Sequence, residues 1–195
     1  MALPFDDTVV EAPLTLGGIV ADLHADGRLT DADRTRLARL VIGSVHPLVY
    51  LAEQKLPDAL QPGQVLDMDQ LLAWLSVRTG QSVYEIDPLK INVGAISEVM
   101  SQAFAQRHRI LAVEVNEDEV VIASAEPYLR SWESNLQHAV RRPIHRVLAD
   151  PRAIVRHTAE FYTMAGSVRG AHGGGRPESA AGIGNLEQML ELGSM

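Results

Sequence analysis

Leu16, Ile19, Val20 and Leu23 recur at i, i+3, i+4 and i+7, which predicts a short amphipathic helix stopping near Gly27. Thr30 with Asp33 fits a capping start for a second helix, with Leu37, Leu40 and Val41 on its inner face. His46-Pro47 ends that helix, and Pro47 to Gln54 reads as a further helical stretch before Pro57, Pro62 and Gly63 break the chain. Four aliphatic side chains are a thin core set against the entropy of ordering two helices. The pair is therefore expected to be the more mobile part of the chain.

From Asp67 the pattern strengthens. Asp67 and Gln70 suit a helix start, Leu71, Leu72 and Leu75 pack, and Gly80 stands where a C-terminal cap should. Val83 to Ile86 reads as a short strand, and Asp87-Pro88 as a turn. Ile96, Val99, Met100, Ala103 and Phe104 form one 3.6-period stripe ending near Arg107-His108. Ile110–Val115 and Val120–Ser124 are β-rich runs joined by Asn116-Glu117-Asp118-Glu119, which predicts a hairpin. Leu129, Trp132, Leu136, Ala139 and Val140 mark another helix that Pro143 stops. Ile144 to Ala149 can pair as a strand, and Asp150-Pro151 opens a last helix burying Ile154, Val155, Thr158, Phe161 and Tyr162. The order α-β-α-β-β-α-β-α predicts an α+β fold, a small mixed sheet with packed helices. A helical extension precedes it at 1–60, the sheet domain spans 65–163, a Gly-rich flexible linker spans 164–184, and 185–195 starts a following domain.

Composition narrows the chemistry. The 195 residues carry 17 basic and 25 acidic side chains, a net charge of −8, which disfavours a nucleic-acid binder because phosphate neutralisation supplies much of that affinity. With no Cys, disulfides, thiolate metal sites and cysteine nucleophiles are excluded. Met1 to Asp7 lacks a basic n-region, so no secretory signal is read, and a cytoplasmic location is expected. Only Lys55 and Lys90 are lysines; neither follows Gly or precedes Ser or Thr, so the chain has no P-loop.

No His-x-x-x-His pair occurs among the seven His residues, and Pro143 separates His138 from His145. They read as surface or capping groups, with no metal site. Ser97, Ser101, Ser124 and Ser131 sit in no Gly-x-Ser-x-Gly turn. Asp67/Asp69 and Glu117/Asp118/Glu119 read as a helix start and a solvated turn. No catalytic residue and no cofactor are expected. The basic residues Arg141, Arg142, Arg146, Arg152 and Arg156 either balance the acidic hairpin or hold an anion, with Arg141 and Arg142 the candidate contacts for a nucleotide such as a cyclic dinucleotide.

The sequence also carries Leu75-Ser-Val-Arg-Thr-Gly80, Asp87-Pro88 and Ala103-Phe-Ala-Gln-Arg-His-Arg-Ile-Leu111-Ala-Val113. Val121-Ile-Ala-Ser-Ala125-Glu-Pro127, Arg142-Pro143-Ile144 and Ala153 through Phe161-Tyr162 follow. Their order and spacing resemble the N-terminal domain of the type II secretion and type IV pilus assembly ATPases, the E protein of the general secretion pathway being most similar. That resemblance implies a non-catalytic docking domain. It would tether a hexameric motor, through its own ATPase domain, to the cytoplasmic domain of the inner-membrane L protein, reaching the membrane only indirectly. ATP and Mg would belong to the absent C-terminal domain. Some relatives bind cyclic di-GMP through a helical motif beginning Arg-Leu-Gly; here Thr15-Leu16-Gly17 lacks the Arg and His24 stands at the next Gly. The candidate partner surface is the first helix pair, through Leu16, Ile19, Val20 and Leu23 with Asp22, Asp26 and Arg28. A cyclic-dinucleotide sensor and the front end of a pilus assembly ATPase are the alternatives.

Overall fold

The computed structural model describes residues 11–173. Residues 1–10, residues 174–184 of the expected linker and the expected start of a following domain at 185–195 lie outside the described residues. The fold is α+β, and the described residues form eight helices and one three-stranded sheet.

The first four helices are α1 (Leu16–Ala25), α2 (Asp31–Leu37), α3 (Pro47–Glu53) and α4 (Met68–Thr79). Each begins at a side chain that accepts a backbone N–H: Thr15 from Gly18, Thr30 from Asp33, His46 from Leu48 and Asp67 from Gln70. Gly80 closes α4 at φ +69°, the left-handed cap anticipated from the sequence. These helices share one core built from Leu16, Ile19, Val20, Leu23, Leu37, Leu48, Leu51, Leu71, Leu72 and Leu75.

The core of α1 to α4 corrects two expectations. The leading helices are not a thin pair seeking a surface, because α4, expected to open the second part, packs into their core together with Leu56 and Leu66. Helix α2 also ends at Leu37, so Leu40 and Val41 leave its inner face; Val41 is 96% exposed.

A buried ion pair anchors the loop between α3 and α4. Arg28 donates from Nε to Asp58 Oδ2 at 3.0 Å and from Nη2 to the same oxygen, and Nη2 also reaches Gln70 Oε1. Asp58 Oδ1 in turn accepts from the Leu60 N–H.

The second core surrounds the sheet. Strands β1 (Ile110–Val115) and β2 (Val120–Ser124) form the expected antiparallel hairpin, and Asn116 Oδ1 accepts from the Asp118 and Glu119 N–H groups to close it. Strand β3 (Ile144–Leu148) lies parallel to β2, reached through α7 (Glu133–Val140). All five residues of the central strand are buried, as expected for a strand covered on both faces. Helices α5 (Val93–Val99) and α6 (Gln102–His108) pack on β1, and α8 (Pro151–Gly173) packs on β1 and β2.

Three local differences have physical causes. The stripe from Ile96 to Phe104 is two helices, because Ser101 accepts the Phe104 N–H and starts a new one while Met100 is extended. Val83–Ile86 makes one parallel bridge to Leu148, with two backbone hydrogen bonds, before the chain turns away at Asp87-Pro88. Helix α8 runs to Gly173, so residues 164–173 of the expected linker are helical.

The two cores are joined. Leu148 of β3 belongs to the core of α1 to α4, whereas its neighbour Val147 belongs to the sheet core.

Candidate functional site

Of the residues expected to form a partner surface, the structure buries the apolar set. Leu16, Ile19, Val20 and Leu23 are 8, 2, 3 and 0% exposed, so their stripe faces α2, α3 and α4 and offers nothing to a partner. Arg28 is buried by its pairing with Asp58. Asp22 and Asp26 stay at the surface, where both pair with Arg78. Asp26 also accepts the Trp74 indole N–H at 2.7 Å.

The Trp74 hydrogen bond, with help from Arg78 and against partial desolvation, holds the Asp26 carboxyl below the usual carboxylate range. A carboxyl depressed in the folded state adds stability above the unfolded value, near pH 4, and loses it as pH falls through the lower folded value. Asp26→Asn is therefore expected to flatten the decline of stability below about pH 4. Urea midpoints measured across that range test this; an unaltered slope would count against the pairing.

The nucleotide candidates fare differently. Arg141 caps the end of α7 at φ +54° and is exposed, while Arg142 donates from Nη1 to the Asn116 carbonyl and so braces the hairpin turn. Arg146, Arg152 and Arg156 do not join them. Arg146 is largely buried and donates from Nη2 to the carbonyls of Glu126, Pro127 and Leu129, fixing the loop after β2. Its burial pulls the guanidinium pKa down.

Arg152 and Arg156 instead border a cavity of 450 Å³ between the loop before α3, the end of β2 and the first turns of α8. Its walls are mainly apolar, from Val49, Ala125, Pro151, Ile154 and Val155, and Arg109 completes the basic rim. The conformation at Arg109 is left-handed, φ +52°, because it caps α6. Arg152 is held by Asp150 at 2.9 Å, which raises its pKa. Among the described residues Arg109 and Arg156 form no ion pair; Arg156 donates to His157 Nε2.

Glu126 sits in the wall, 6% exposed. It accepts the Leu14 N–H at 2.7 Å on Oε2 and faces His46 Nε2 at 3.2 Å through Oε1. Because His46 Nδ1 accepts the Leu48 N–H, Nε2 carries the proton and donates to Glu126. One carboxylate thus ties the chain before α1, the start of α3 and the end of β2.

Arg109 and Glu126 also line a second cavity of 360 Å³, with Arg107, His108 and Trp132. Desolvation, then the Arg107 charge, keeps His108 below the usual histidine range. The Trp132 indole N–H is buried with no acceptor among the described residues. Sequence reasoning assigned Arg152 and Arg156 to a different cluster and passed over Arg109, His46 and Glu126. His46 and Glu126 are 80 residues apart, and no local spacing signals their meeting.

Residues 79–168 match the family model of the MshEN domain. The match begins at the end of α4 and takes in the whole sheet and most of α8. The chain is 34% identical over 151 residues to the type IV pilus assembly ATPase TfpB of Acinetobacter baylyi, covering 75% of this chain. It spans 26% of that relative's length. These two matches bear out the resemblance to N-terminal domains of secretion and pilus assembly ATPases. Two solved structures are also similar, MshE with cdg and the N-terminal domain of XpsE. Each has a TM-score of 0.47 at 17% identity over 76% of this chain, and the shares of their own chains covered are 99 and 96%. No helix among the described residues is long and apolar enough to cross a membrane.

Proposed function

We propose that the chain is a non-catalytic docking module at the front of an assembly ATPase, joining the motor to the cytoplasmic domain of an inner-membrane protein. The observation that carries this reading is the 34% identity to a pilus assembly ATPase of which the chain spans only 26%, in a sequence without a phosphate-binding Gly-x-x-x-x-Gly-Lys-Ser/Thr loop. Catalysis would belong to the remainder of such a protein, with ATP and Mg. Docking needs a rigid body with a defined surface, and the shared Leu148 and Glu126 contacts supply one. On this reading the protein is peripheral at the inner membrane, held there through its partner, and its own ATPase domain assembles as a hexamer.

The name of that relative favours a second reading within the same class, a pilus machine in place of a secretion machine. One experiment separates the readings. The purified chain is offered the cytoplasmic domain of the secretion L protein, its counterpart from the pilus platform, and cyclic di-GMP, with calorimetry as readout. A micromolar complex with one of the two proteins, and no nucleotide turnover, is expected. Binding to neither protein overturns the docking reading, and micromolar heat with cyclic di-GMP alone replaces it with a sensor that would use Arg141 and Arg142.

A further inference from the structure

We infer that the 450 Å³ cavity between α3, the end of β2 and α8 is a docking pocket for an acidic segment of a partner protein, one apolar side chain entering it and flanking carboxylates meeting Arg109, Arg152 and Arg156. This deepens the docking reading and rests on it for the partner's being the motor's membrane anchor. The division of chemistry within the cavity decides the occupant. Its walls are apolar, supplied by side chains such as Val49 and Ile154, so what enters is apolar. A phosphate in the depth would face the Glu126 carboxylate, which already has its own partners in Leu14 and His46. The positive groups stand at the mouth, where Arg109 and Arg156 engage no carboxylate among the described residues. Charge complementarity therefore calls for carboxylates outside and an aliphatic anchor inside.

The surface continues beyond the mouth. Val155, between Arg152 and Arg156 on the first turns of α8, is 63% exposed, and Val45, next to the lining residue Ser44, is 44% exposed. Arg152, Val155 and Arg156 lie at i, i+3 and i+4, so one face of α8 presents two guanidinium groups around an apolar contact. The shared wall at Arg109 extends the basic rim toward Arg107.

The test uses a fluorescein-labelled peptide, Gly-Glu-Glu-Leu-Leu-Glu-Glu-Gly, a twin with Lys for every Glu and a twin with Ala for every Leu, read by anisotropy on the full chain. The acidic Leu peptide is expected to bind about tenfold tighter than either twin, and Arg109→Glu with Arg156→Glu to weaken it about tenfold. Val155→Asp should do the same, and its exposure keeps the change out of the core. Arg34→Glu with Arg36→Glu alters net charge equally at exposed sites on α2 and should leave binding unchanged. Equal binding of the twins, no binding, or an equal loss in the α2 control overturns the pocket. Offered the membrane-anchor domain, an Arg109→Glu/Arg156→Glu protein that is captured as well as the wild type overturns the pocket and leaves the docking reading standing. A wild type that captures nothing overturns the docking reading, while the peptide titration still decides the pocket.

Discussion

Ile19→Asp is expected to unfold the α1 to α4 unit. Ile19 is 2% exposed among leucines from all four helices, and truncating such a residue to Ala already costs about 2–5 kcal/mol. A carboxylate there adds the penalty of burying a polar group that has no hydrogen-bond partner, so the loss should exceed that range. Urea unfolding followed by far-UV circular dichroism reads this directly. A change within about 0.5 kcal/mol, the behaviour of an exposed position, would return the Leu16–Leu23 stripe to the surface. The same substitution would abolish partner capture for a trivial reason, loss of the fold, so capture by this variant says nothing about where a partner sits.

The second large effect is expected at Asp58. Asp58→Ala removes the acceptor of two Arg28 nitrogens and leaves a buried guanidinium whose remaining hydrogen-bond partner among the described residues is Gln70. Breaking a buried pair from one side costs about 3–5 kcal/mol, because the surviving charge has lost its compensation. Replacing both members, Arg28→Met with Asp58→Leu, should recover much of that loss. A double variant as unstable as the single would mean that the Leu60 N–H contact to Asp58, and not the ion pair, carries the effect. Chemical denaturation of the wild type and the two variants in parallel makes the comparison.

What the sequence discloses here is what neighbouring residues decide among themselves. Thr30, Asp67, Gly80 and Asn116 act within three or four positions of where they stand, and the caps and the hairpin turn follow from them. The α+β class follows from the same local periodicities. The break at Met100 and Ser101 is local too, yet the apolar stripe running through it masks the cap. Burial of the first stripe was harder to read, since its cover comes from α4, some fifty residues on, and a four-residue stripe looks the same on a core helix and on a docking helix. The candidate site was the least legible part. Arg109, Glu126 and Arg156 line one cavity only because the end of α6, the loop after β2 and α8 converge there, and the arginines adjacent in sequence, Arg141 and Arg142, go elsewhere.

Helix α8 begins at the cavity and continues for 23 residues, about 34 Å. Because it is buried as far along as Phe161 and Ala165, that length is a fixed spacer, and Gly173 stands about 32 Å along the axis from Arg152.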